Sequence, residues 1–259
     1  MTVQGPEEPI YVPEPAPTPL PFAPPAYPPP VQQSWDSKAR PWPGSRLRVP
    51  GVIAQLALLL ILAADLFLAY AVWHRFQIVH DAIDKGQGTL VDIQRADDLV
   101  HSAGVGYGIT YAATAIAFIV WFYRAAKSAE RHNDLVMRYG PGWAVGGWFV
   151  PILSLWRPYQ IAKDTLSAST LPPNARRSES SVLLRLWWMF FIAGAISARF
   201  WASDDTSLSV FYRNSKLLLT NLGLQAVAAI FAFAVVDQIT RRNDNRRLAL
   251  LAANRPSLR

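Results

Sequence analysis

Few side chains in this chain could do chemistry, and the densest group of them combines histidine with aspartate: His74, His80, Asp81, Asp84, Asp97, Asp98 and His101. If residues 80–85 are helical, His80 and Asp84 share a face at i,i+4, a workable ligand pair for a divalent metal. Two ligands do not make a site, and acidic residues are equally expected on a loop translocated across a membrane. No H-E-x-x-H and no G-x-S-x-G occurs, so the zinc-protease and hydrolase-elbow signatures are missing. The chain has no cysteine, which excludes disulfides, thiolate metal sites and cysteine nucleophiles. The residues therefore lead us to expect no catalytic residue, no metal and no cofactor.

A second group lies where polar residues are costly. Asp65 interrupts the apolar stretch Gly51–His74 near its middle. An ionised carboxylate at such a depth costs about 2.5–3.5 kcal/mol on the insertion scale, so it should face the bundle, a partner group or water. Asp65 lies nine residues before His74, and Gln225 lies nine after Lys216. Both then sit about 13–14 Å from the same face at 1.5 Å per residue. Tyr111, eight residues after Ala103, brings a hydroxyl close to that plane. The expected arrangement is Asp65 pointing inward as the neutral acid and hydrogen-bonded to Gln225 or Tyr111. That would be a polar clasp worth about 0.6–2 kcal/mol, and the alternative role for the same residues is a proton or cation site.

These groups need elements to hold them. Four apolar runs are long enough to cross a bilayer: Gly51–His74, Ala103–Tyr123, approximately Ser181–Ala202, and Lys216–Thr240. In hydrocarbon only helices or closed barrels satisfy the backbone, and runs this continuous argue helices. Between the second and third runs, Gly140–Tyr159 is apolar from Trp143 to Trp156 and broken by Pro151, with Arg157-Pro158 acting as a charged helix stop. It is too short to span, and its tryptophans favour headgroup depth. The expected fold is all-α integral membrane, with four transmembrane helices and a short Trp-rich interfacial or re-entrant segment between helices 2 and 3. Gly104, Gly108 and Ala112, like Gly194 and Ala198, form small-residue stripes that permit close helix approach in lipid.

Charge agrees with that topology. With both termini inside, 18 of the 25 Lys and Arg lie on the cytoplasmic side and six on the other, with Arg185 inside the third run. Arg124, Lys127, Arg131 and Arg138 have offsets that suit one face of a helix continuing inward from the second span, a stripe suited to anionic lipid. The formal charge of +7 comes with no nucleic-acid motif, so nucleic acid is not an expected partner. Fifteen of the 21 prolines fall in residues 1–50, which read as a disordered cytoplasmic tail able to offer protein partners extended Pro-rich ligands. That dilution explains a mean hydropathy of only +0.14 in a chain that is 51% hydrophobic. Residues 51–240 form the membrane domain and 241–259 a basic cytoplasmic tail.

Trp121 and Arg124, then Trp143, Trp148 and Pro151, then Trp156, Arg157 and Pro158 make up a set of motif pieces: W-x-x-R-A, W-F-x-P and W-R-P-Y-Q. In these the chain resembles a bacterial, largely actinobacterial, membrane family, the domain of unknown function 4328, over approximately residues 53–240. The family pattern usually has Asn where this chain has Ser128 and Ser154. The resemblance implies a multi-span protein of the cell membrane and supplies no activity or substrate. The sequence therefore favours a non-enzymatic membrane scaffold or interaction module. The alternative is a small transporter or channel-like subunit that uses Asp65 and its neighbours at mid-depth.

Overall fold

The computed structural model describes residues 47–86, 88–132, 137–169, 180–199 and 208–253, all within one compact unit, Pro41–Arg259. The expectations for residues 1–46, for the end of the third run at 200–202, and for 254–259 lie outside them. Every regular element among the described residues is helical: α1 (Arg48–Asp84), α2 (Leu90–His132), α3 (Trp143–Gly146), a 3₁₀ turn (Leu153–Leu155), α4 (Arg157–Ala168), α5 (Ser180–Ser197) and α6 (Leu208–Ala253). Three of them, α1, α2 and α6, are long and apolar enough to cross a membrane. The fourth apolar helix, α5, has 18 residues and ends sooner than the sequence run suggests.

Local chemistry sets the boundaries. Gly86, at φ +61°, adopts the left-handed conformation that stops α1 at little steric cost. Thr89 and Asp92 then start α2 with a reciprocal cap. The Asp92 carboxylate accepts the Thr89 backbone N–H at 3.0 Å, and the Thr89 hydroxyl accepts that of Asp92 at 3.3 Å. Pro158 does not act as a stop. It occupies the first turn of α4, where a missing N–H is no loss.

The two central helices carry buried seams. On α1, Gly51, Ala54, Leu58, Ile61, Asp65, Leu68 and Val72 are buried at alternating steps of three and four. A 3.5-residue period of this kind keeps one line of side chains against neighbouring helices. On α6 the matching line runs through Leu222, Ala229, Ala232, Val236, Ile239 and Asn243. Helix α1 packs between α2 and α6, and α6 between α1 and α5. The flanking helices α2 and α5 approach each other chiefly through aromatic side chains, Phe118 and Trp187 having ring centroids 5.9 Å apart. The outward faces remain apolar, with Leu59, Phe67, Ile109, Ile116, Met189 and Ile230 exposed.

The small-residue stripes divide. A methyl group on Gly194 would stand 3.3 Å from the Gln225 side chain, so this glycine does bring α5 close to α6. Gly104 and Gly108 have no such neighbour within 4 Å. Ala103 and Thr114 take the buried face of α2, with half-buried Tyr107 between them, and this phase turns the glycines away from the other described helices.

Candidate functional site

Contacts at one end of the bundle set its register. Gly51 of α1 lies so close to α6 that a methyl there would fall 2.7 Å from the Thr240 hydroxyl oxygen. That oxygen accepts the indole N–H of the fully buried Trp121 at 3.1 Å, joining three helices at one point. One turn on, Gln55 donates to the Asp237 carboxylate at 3.5 Å. From this antiparallel pairing the seams of α1 and α6 run toward the bundle centre and bring Asp65 to the level of Gln225. Thr114 of α2 donates to the Ala57 carbonyl at 3.0 Å, fixing α2 alongside.

Helices α1, α2, α5 and α6 do not close on one another at this level. They leave a cavity of about 150 Å³ that all four line, with Trp148 from the Trp-rich segment as a fifth contributor. Asp65, Tyr111 and Gln225, which the sequence places in one plane, all border it, together with Tyr107 and Thr114. Asp65 is 2% exposed, and its Oδ1 has no hydrogen-bond partner. The expected bond from Tyr111 or Gln225 to Asp65 is not made, because the helices stand apart here and the Gln225 amide rests over Gly194 instead. Tyr111 is 45% exposed and forms the rim. Its ring centroid lies 6.1 Å from that of Tyr107.

At the opposite end of the cavity Trp148 fills the gap between α2 and α5. Its ring lies 6.1 Å from Phe118 and 6.4 Å from Phe122 on one side, and 6.1 Å from Trp188 and 5.6 Å from Phe191 on the other. The backbone carrying it is no continuous helix. It passes from α3 through turns at Pro151 to the 3₁₀ turn, whose Leu155 carbonyl accepts the Trp188 indole N–H at 2.9 Å. Sequence reasoning placed Trp148 at headgroup depth on composition alone and missed this wedge. It also missed Tyr107, although a residue four before Tyr111 on a helix shares its face.

Helix α4 covers the ends of α2 and α6 with the buried face Pro158, Ile161, Ala162, Thr165 and Leu166. The Asp164 carboxylate accepts the Arg138 backbone N–H at 3.3 Å and lies 3.5 Å from its guanidinium. Burial raises the Asp164 carboxyl above its ordinary value, against the lowering effect of the Arg138 N–H and charge. Arg138 therefore does not continue the stripe of Arg124, Lys127 and Arg131. Helix α2 ends at His132, and Asp164 takes the Arg138 N–H that a longer helix would have turned back on itself. Arg124 and Arg131 remain exposed, and Lys127 lies 5.6 Å from the Tyr123 ring. Far from this, His80 and Asp84 do share a face, 3.3 Å apart, while a hydrogen bond from Lys85 holds the Asp81 carboxyl below its ordinary range. Among the described residues no group of three or more His, Asp or Glu is placed to hold a metal ion.

A family model described as a domain of unknown function (DUF4328) matches residues 85–241, more than half of the chain. The chain belongs to this family. No curated protein matches it, and neither does any solved structure. The DUF4328 match begins after α1, later than the resemblance in the motifs suggested, so Gly51 and Asp65 precede it although α1 forms half of the core seam. The motif residues fall inside it and gather at the end where α4 docks. Trp121 is buried and bonded to α6, and Trp148 is the wedge. The guanidinium carbon of Arg157 lies 3.8 Å from the Tyr139 ring centre and 4.9 Å from that of Trp143, a cation–π arrangement. Trp156 precedes α4 and is exposed. Ser128 donates to the Asn243 side-chain oxygen at 2.7 Å in a buried link between α2 and α6. Ser154 bonds locally to the Pro151 carbonyl at 2.7 Å.

Proposed function

We propose that this DUF4328 protein is a four-span protein of the cell membrane, with both termini and α4 on the cytoplasmic side. On this reading it is a non-enzymatic module that holds anionic lipid and protein partners at that surface. The observation that carries the reading is the collar formed where α4 docks on α2 and α6. Both helices continue past their apolar runs, and the basic residues Arg124, Lys127, Arg131, Arg241 and Arg242 sit on those continuations. Lys and Arg at such a boundary attract anionic headgroups by about 1 kcal/mol each. Helix α5, at about 27 Å, is close to the roughly 30 Å of bilayer hydrocarbon, and the apolar outward faces suit lipid. The Trp-rich segment then lies at the inner interface, and the Pro-rich stretch ahead of α1 offers Pro-rich ligands to proteins.

Because the chain lacks cysteine, single replacements report its orientation cleanly. Gln94 and Ser167 are both exposed, whereas Ser169 is buried and would be a poor reporter. In intact cells an impermeant thiol reagent should label Gln94→Cys and leave Ser167→Cys unmodified until the membrane is opened. Labelling of Ser167→Cys from outside would sink the topology.

The cavity beside Asp65 favours a second reading, a small transporter or channel-like subunit. On the module reading, proteoliposomes should show no proton or cation flux above that of empty vesicles. A flux that Asp65→Asn abolishes would replace the module with the transporter.

A further inference from the structure

The cavity has two unlike ends. Asp65, Tyr107 and Gln225 mark one. Phe118, Trp148 and Trp187 mark the other, about 10–16 Å away as the helices rise at 1.5 Å per residue. Its 150 Å³ is the size that, in an apolar protein interior, accepts a molecule as large as benzene. An apolar body of that size would meet aromatic rings and alanines along most of its length.

What distinguishes the cavity from a packing void is the carboxyl group at one end. Asp65 is almost fully buried and its Oδ1 lacks a partner. A buried carboxyl left in that condition is costly, and the cost disappears when a donor arrives. Among the described residues, no Lys, Arg or His lines the cavity, so none of them offers a cation there. The Thr114 hydroxyl is already committed to Ala57. Tyr107 and Tyr111 also line the cavity and add π-faces, which attract ammonium groups at close range.

We propose that this cavity is a binding site for a small hydrophobic amine: a primary ammonium bonded to the Asp65 carboxylate, with an aryl or short alkyl body about as large as benzene lying toward Trp148. The amine enters past Tyr111, the exposed member of the rim. A phospholipid headgroup is a poorer fit even when it carries an amine. Its phosphate would have to enter with no cationic residue among the described ones to meet it, at a high desolvation cost. The inference goes beyond both functional readings and does not depend on the topology, since binding is measured on purified protein.

The test is a titration of the full-length protein in neutral detergent micelles with 2-phenylethylammonium chloride, followed by ligand-observed NMR and by the thermal unfolding midpoint. The amine should bind and raise the midpoint, while toluene and benzoate at equal concentration should do much less. Asp65→Asn should weaken amine binding by about ten- to a hundredfold, the loss of a charge-assisted hydrogen bond. Should Asp65→Asn fail to fold, Ala115→Phe provides a second arm. Ala115 lines the cavity from α2 and is only half-buried, so the new ring fills the slot and leaves every polar group in place. It should abolish binding. Equal stabilisation by toluene and the amine would reduce the cavity to an apolar void and overturn the proposal. So would no binding of the amine at all, amine binding that survives both substitutions, or purified protein whose cavity is filled by tightly held lipid or by a second copy of the chain.

Discussion

Trp121→Ala should destabilise the folded domain by about 3–5 kcal/mol, measured as the free energy of denaturant unfolding in detergent micelles. Trp121 is 0% exposed and has its ring 5.3 Å from Phe118 and 6.1 Å from Phe122. Truncation removes a fully buried indole, the largest such side chain among the described residues, at the point where α1, α2 and α6 meet, and it leaves a hole that three packed helices can only partly close. It also deprives the Thr240 hydroxyl of the indole N–H. Trp121→Phe separates these contributions, because most of the volume stays while the hydrogen bond goes. Its cost should be near 1 kcal/mol. If alanine costs no more than phenylalanine, the site is not the packed junction described.

Gly51→Leu should be nearly as damaging, at about 3 kcal/mol, the upper end of what overpacking ordinarily costs. The first added carbon would sit 2.7 Å from the Thr240 hydroxyl oxygen and 3.0 Å from its methyl. Thr240 cannot rotate away freely, since its β-branched side chain is restricted in a helix and its oxygen is held by Trp121. Relief must come from α1 moving off α6, which disturbs the register that faces Asp65 toward Gln225. The cause is testable by combination. In a Thr240→Ala background the Gly51→Leu penalty should shrink, and the effects of Gly51→Leu and Trp121→Ala should fall short of additivity because both act through Thr240. Full additivity across all three positions would place the clash elsewhere.

The sequence exposed some of this arrangement and hid the rest for physical reasons. In hydrocarbon, long continuous apolar runs argue helices, so α1, α2 and α6 could be located from composition. Residue counting from common boundaries was enough to put Asp65, Tyr111 and Gln225 around one cavity, since helical rise is nearly constant. Counting says nothing about the distance between helix axes, and a clasp was expected where the helices in fact stand apart. The role of Trp148 was hidden because a tryptophan suits a headgroup layer and an aromatic wedge equally well. Arg157-Pro158 looked like an ending because proline breaks helices. The spacing of Ile161, Ala162, Thr165 and Leu166 just beyond it was the available sign that proline here opens one. Arg138 was misplaced by extending the period of α2 past His132, where the helix ends, to a residue whose N–H is taken by distant Asp164.

The packing of α1 against α6 has a consequence for how the chain is made. These helices share the core seam, yet they are the first and the last of the long helices to leave the ribosome. Gly51 meets Thr240 and Gln55 meets Asp237 although each pair is 182 or more positions apart in sequence. An N-terminal hairpin of α1 and α2 can form early from its own contacts, but until α6 is synthesised the α1 face bearing Ala54, Leu58, Ile61 and Asp65 lacks its final partner. At about 5–20 residues per second, that interval lasts on the order of ten seconds or more. During it the nascent hairpin presents an uncovered carboxyl group to whatever surrounds it. Premature termination anywhere before α6 leaves that state permanent, which makes the C-terminal helix the step that commits this domain to its native form.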